Sequence, residues 1–283
     1  MRLSILDHGH RARARLFLRL TSRDAPDVVR LLLYRPGFLA RPLLALTVPA
    51  MRGPSYWTAG EREYLAMSIA QLHECPFCAV THAEMTRLAG GVDPDDPDTV
   101  RPELVAARRF LEDLHHTPTQ ARVPAVLPAD AVRDALRVAL VWQVVNRLAN
   151  AFGFALRGDQ LHAGTRALHR FGYRFPGFLL AGGPRPTGDE VADLRHAVLT
   201  APAVTAPALR TAVATGEAVP DPWASYTALV RTASHRITDS DISRLTATHT
   251  EDEVYELTVA AAVGAALESH DAGQRTLTAP TDG

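Results

Sequence analysis

Apolar positions recur along most of this chain at spacings of three and four, the period of an α-helix. Within 59–73, Leu65, Ile69 and Leu72 form one stripe, the pattern of a helix that buries one side. The same period predicts helices over 26–34, 76–89, 102–115, 159–170, 188–199, 207–215 and 222–234. Two further segments, 130–152 and 251–275, are long and apolar. In the first, Val138, Leu140, Val141, Trp142, Val144, Val145 and Leu148 exceed a single stripe. Such a helix sits at the centre of a fold or at a subunit interface. No run of alternating β-branched residues is long enough to build a sheet, so the expected fold class is all-α.

Polar residues punctuate this pattern. Thr58/Glu61, Thr187/Glu190 and Thr250/Glu253 have the spacing of capping boxes, in which a hydroxyl and a carboxylate satisfy N–H groups at a helix start. Asp221-Pro222 reads as an N-cap followed by proline at the first helical position. "GGVDPDDPD" (90–98) and "HTPTQARVPAVLP" (116–128) are turn-rich loops. The longest Gly/Pro-rich stretch is "FGYRFPGFLLAGGPRPTG" (171–188). It is the candidate boundary between a helical unit over 1–175 and a C-terminal helical unit over 185–283 packed on it. The two long apolar helices each close one half. Both open with D-x-V-x-[DE], as Asp130, Val132, Asp134 and as Asp252, Val254, Glu256, a hint of internal duplication.

Composition narrows the function classes. Apolar residues make up 47% and the formal net charge is −1, so no basic field argues for nucleic acid. The chain has no lysine, which excludes Schiff-base chemistry. No apolar run is long enough for a membrane span. The Arg-rich start, "MRLSILDHGHRARARLFLRL", is too interrupted for a secretory signal. A cytoplasmic, reducing compartment is expected.

Both cysteines of the chain fall in "HECPFCAVTH" (73–82). In a reducing compartment C-x-x-C points to redox or metal chemistry. Pro76 cannot continue the preceding helix but can begin the next. That puts Cys75 at the N-cap and Cys78 one turn in, close enough for a disulfide after small adjustments and at the helix end that stabilises a thiolate. His82 lies four residues beyond Cys78 on the same face, where it can act as general base. Glu63 shares a small apolar face with Ala66, Met67 and Ala70. A carboxylate there is partly buried, its pKa raised unless something pairs with it; the plainer alternative is a solvated first-turn glutamate. Thiol, imidazole and carboxylate together form a nucleophile, base and orienter.

Zinc is the rival reading, with His73, Cys75, Cys78 and His82 as nominal ligands. Against it, all four lie within 73–82, no second knuckle follows, and His73 belongs to the previous helix. His115-His116 ends a helix, where a cationic side chain suits the dipole. Trp142 reads as core. Asn146 is polar in an apolar helix, a candidate for a pocket wall or an interface hydrogen bond. No Gly-rich phosphate loop, G-x-S-x-G or H-E-x-x-H occurs.

The order Glu63, Cys75, Cys78, His82, written E-x11-C-x-x-C-x-x-x-H, resembles the alkylhydroperoxidase AhpD-like branch of the carboxymuconolactone decarboxylase superfamily. The flanks "RGPSYWTAGERE" and "ALVWQVVNRLANAFG" are similar as well, extending the resemblance over about 25–175, with vaguer likeness at 237–267. The resemblance implies an all-α, cofactor-free thiol peroxidase or disulfide reductase that assembles as a homo-oligomer, a trimer or larger ring. It implies a hydroperoxide substrate and a thiol or dithiol reductant protein as partner. In that pattern Cys78 attacks the peroxide, its proton passes through His82 and Glu63, and Cys75 resolves the sulfenic acid to a disulfide. AhpD itself carries another histidine between the cysteines; here the position is Phe77, which shortens the relay. By position, the N-cap thiol Cys75 is the better thiolate, while the neighbouring base favours Cys78. The lactone decarboxylase branch, the alternative enzyme class, typically lacks the cysteine pair.

Overall fold

The computed structural model describes residues 1–21 and 25–278. Among them are fourteen α-helices and no strand, so the all-α expectation holds. In chain order they are α1 (Ile5–His8), α2 (Ala12–Thr21), α3 (Asp27–Tyr34), α4 (Ala40–Arg52), α5 (Ala59–Leu72), α6 (Pro76–Ala89) and α7 (Pro102–His116). There follow α8 (Ala129–Phe152), α9 (Gln160–Phe171), α10 (Glu190–Arg195), α11 (Pro207–Thr215), α12 (Trp223–Thr232), α13 (Asp239–Thr246) and α14 (Glu251–Thr278). A π turn over His196–Thr200 prolongs α10. No described helix is long and apolar enough to cross a membrane.

α8 is the axis of the fold. Nearly every side chain from Ala131 to Phe152 is buried, against α4, α5, α6, α7, α12 and α14 of the same chain. Its several apolar faces are therefore covered within the chain and supply no argument for a subunit interface. α14 is buried from Val254 to Leu267 because it runs along α8 on one side and α11 and α12 on the other. Gly264 permits the closest of these approaches: a Cβ there would run into the carbonyl oxygen, Cα and Cβ of Ala214.

Two of the three expected capping boxes form, at Thr58/Glu61 and Thr250/Glu253. The Thr187/Glu190 box does not. Asp189 caps α10 by accepting from the Val191 and Ala192 N–H groups, and Thr187 instead binds Asp193. α12 starts at Trp223, one residue later than expected, with Asp221 accepting from the Ser225 N–H.

The hint of duplication acquires physical content. Arg62 on α5 donates to the carbonyls of Ala50 and Gly53; Arg210 on α11 donates to those of Val198 and Ala201. One constant offset in sequence relates all three pairs. Asp134 on α8 accepts from Ser55 and the Tyr56 N–H ahead of α5. Glu256 on α14 likewise accepts from the Val204 and Thr205 N–H groups ahead of α11. The chemistry is not repeated. At that offset Glu63 falls on Thr211, and aligning Pro76 with Pro222 puts Ala224 at Cys78 and Ala228 at His82.

Candidate active site

The junction of α5 and α6 sets the site. α5 ends because Glu74 takes a left-handed conformation, φ 48°, and the Cys75 N–H turns back to the Ala70 carbonyl at 2.9 Å, a helix stop built on a left-handed residue. Pro76 then opens α6, with Cys75 as its N-cap. α6 packs closely on α5, which brings His82 against Glu63 and the end of α6 at Gly90 against Gly60. Both cysteines are buried and unbridged.

Glu63 is fully buried and surrounded by donors. His82 Nδ1 donates to its Oε2 at 2.9 Å. Arg52 Nη2 donates to Oε1 at 2.6 Å, and the Tyr173 hydroxyl lies 2.9 Å from both oxygens. Burial alone would raise the carboxyl's pKa, but His82 and Arg52 outweigh it and hold it below the ordinary 4.5. A solvated first-turn glutamate is excluded. Burial, then the Glu63 charge, pushes the Tyr173 hydroxyl well above 10, so it stays a donor. With Nδ1 turned to Glu63, the basic nitrogen of a neutral His82 ring is Nε2. Trp142 fixes the ring from the other side, edge-on with centroids 4.0 Å apart, and is itself anchored by donating to Met51 Sδ.

The two thiols differ. The neighbouring Cys78 thiol, and after it the backbone N–H groups at the start of α6, outweigh burial and lower the Cys75 pKa below 9.0. Burial, and after it the neighbouring Cys75, push Cys78 well above it. The Cys75 thiolate is thus favoured chiefly by its neighbour Cys78, with the helix start adding to it. Access favours the other thiol. Cys78 and His82 line a cavity of about 90 Å³ with Phe77, Val141, Trp142 and Tyr173, and Cys75 is not on its wall. The cavity is predominantly hydrocarbon. Its hydroxyls Thr47, Thr81 and Thr165 are turned back onto the carbonyls of Leu43, Phe77 and Leu161 in their own helices.

Of the four residues singled out by sequence, Glu63 and His82 are in direct contact, Cys75 adjoins Cys78, and Cys78 shares the cavity wall with His82. His82 makes no direct hydrogen bond to Cys78 among the described residues. The zinc set does not assemble. His73 faces Arg147 and stacks edge-on with His115, whereas His82 faces Glu63; among the described residues no group of three or more His, Cys, Asp or Glu could hold a metal ion. Burial, Arg147 and His116 lower the His115 pKa to about 4, so it is neutral and does not serve the helix dipole as a cation. Asn146 lines neither this cavity nor the polar cleft beyond α8. It is fully buried, and neither side-chain atom has a partner among the described residues.

Three contributors escaped the sequence reading: Arg52, Tyr173 and the ring of Trp142 against His82. Arg52 ends a helix that the periodicity did not predict. Tyr173 sits in the Gly/Pro-rich stretch, aimed inward because Gly172 and Tyr173 are both left-handed, φ 60° and 64°. No protein-family model matches the chain, and no curated protein is significantly similar to it.

Proposed function

We propose that the chain is a thiol-dependent hydroperoxidase whose Cys75 and Cys78 cycle between dithiol and disulfide. The observation that supports it best is the buried 2.9 Å Glu63–His82 hydrogen bond, with His82 and Cys78 on the wall of one apolar cavity. The hydrocarbon lining favours an alkyl hydroperoxide over hydrogen peroxide, because a polar guest there would trade water for walls that cannot hydrogen-bond.

Cys78 sulfur attacks the terminal oxygen of the hydroperoxide while its proton passes to His82 Nε2. The O–O bond breaks, and the departing alkoxide takes that proton to leave as an alcohol, with Cys78 now a sulfenic acid. Glu63 stabilises the transient imidazolium, and Arg52 and Tyr173 hold Glu63 in place. The Cys75 thiolate then attacks Cys78 sulfur, hydroxide leaves as water once protonated, and a disulfide remains. A dithiol reductant is oxidised in turn and restores both thiols. Cys75 is suited to this second attack because its thiolate is the more stabilised of the two. The resemblance adds a homo-oligomer to the reading, and light scattering measures it directly.

Purified protein supplied with an alkyl hydroperoxide and a panel of dithiol reductants tests the proposal. Turnover that vanishes in Cys78→Ser and falls steeply with hydrogen peroxide is the expected result. No peroxide consumption with any dithiol refutes it.

A further inference from the structure

α8 separates two spaces. Val141, Trp142 and Val145 face the apolar cavity, while Gln143 and Arg147 face a larger cleft, about 740 Å³, on the other side. We propose that this cleft binds a small multivalent oxyanion, a molecule carrying phosphate or several carboxylates.

The first observation is charge. A chain with a formal net charge of −1 collects Arg122, Arg147, Arg231 and Arg275 around this cleft, with Glu268 the sole acidic side chain among the described lining residues. Glu268 is already engaged, 2.6 Å from Arg231. Among the described residues Arg122 donates only to the Thr119 and Ala121 carbonyls, and Arg275 forms no ion pair.

The second observation is Arg147. It is 5% exposed, and its bonds run from Nε to the Arg231 carbonyl and from Nη1 to the carbonyl and amide oxygens of Gln143 and to His73 Nε2. All these acceptors are neutral, and no carboxylate lies within ion-pair distance among the described residues. Burial, with Arg231 nearby, outweighs the more distant Glu268 and lowers its pKa to about 9, which leaves it charged at pH 7. The neighbouring rings add no further positive charge, since His73 and His115 are held neutral, chiefly by burial. A buried cation without a counter-ion is costly. An anion in the cleft would relieve that cost, and guanidinium forks match phosphate and carboxylate oxygens in pairs. Ser269, whose oxygen accepts from Gln143, adds a hydroxyl donor to the lining. The volume suits a small molecule.

Calorimetric titration of the whole chain with pyrophosphate and, separately, with citrate tests this, at low ionic strength and matched chloride. At least one should bind with a dissociation constant in the micromolar range, and the tighter of the two identifies phosphate or carboxylate as the recognised group. Arg122 and Arg275 are exposed, so Arg122→Glu and Arg275→Glu should fold normally. Each should weaken binding about tenfold or more, consistent with loss of a charge-assisted contact. Hydroperoxide turnover should be unchanged in both variants, so this test stands apart from that of the peroxidase. Binding of neither anion at millimolar concentration overturns the proposal, as does equal affinity in wild type and both variants.

Discussion

Glu63→Gln is the perturbation that separates a catalytic carboxylate from a structural one. The amide keeps the shape but loses the charge and one acceptor oxygen. Three donors converge on Glu63: His82 Nδ1, Arg52 Nη2 and the Tyr173 hydroxyl. A glutamine has one acceptor oxygen for them, and its NH₂ must face at least one donor. Breaking a buried ion pair costs roughly 3–5 kcal/mol. Arg52 keeps 16% of its side chain exposed and can be partly resolvated, so the lower end, about 3 kcal/mol, is expected. Chemical denaturation measures that loss. The kinetic loss is separate: without the carboxylate nothing stabilises the His82 imidazolium, and general-base failure costs about 10²–10⁴ in rate. Single-turnover oxidation of the reduced protein by an alkyl hydroperoxide, followed by loss of free thiol under conditions where the variant is folded, reads it. A variant that is less stable but oxidised as fast as wild type would show that Glu63 only supports the fold, and the relay would fall.

Other outcomes follow from the same geometry. Glu63 is held below its ordinary pKa of 4.5, so its stabilisation is full above that value and is lost as pH falls through the lower folded value; wild type should lose stability below about pH 4.5 more steeply than Glu63→Gln in denaturation series, and parallel curves would contradict this. Cys78→Ala removes the neighbouring thiol that lowers the Cys75 pKa, so thiolate absorbance of the remaining cysteine should titrate at higher pH than that of the first thiol in wild type; no upward change would contradict that coupling. Gly264→Ala presses a methyl group into Ala214 and should cost about 1–3 kcal/mol, the usual range for overpacking, with wild-type stability in thermal unfolding as the contrary result.

The helices were largely legible because their apolar faces are continuous: α3, α5 to α9, α11, α12 and α14 begin and end within three residues of the expected bounds. α4 was not, because Pro42 and Pro49 interrupt its sequence. It survives because Pro42 lies in its first turn, where no N–H is needed, and because packing on α8 and α5 outweighs the cost of Pro49. α13 carries too few apolar residues for a stripe; Ile242 and Leu245 suffice once the Thr238/Asp241 capping box sets its start. At the site, Cys75, Cys78, His82 and Glu63 were legible because they lie on two adjoining helices, where spacing fixes the face. Arg52 and Tyr173 reach Glu63 across the fold, from a proline-bearing helix and an irregular loop. No local pattern encodes such contacts.

The central claim is that Cys75 and Cys78 form a redox pair driven by peroxide at Cys78. Its most direct test is to treat reduced protein with a stoichiometric alkyl hydroperoxide, count free thiols and map the linked peptides, alongside Cys75→Ser treated with dimedone. The account predicts that both thiols disappear together into a Cys75–Cys78 disulfide that a dithiol reverses, and that dimedone labels Cys78 in Cys75→Ser. Thiols that both survive excess hydroperoxide in folded protein, or a dimedone adduct found on Cys75 of Cys78→Ser and absent from Cys78 of Cys75→Ser, would contradict it.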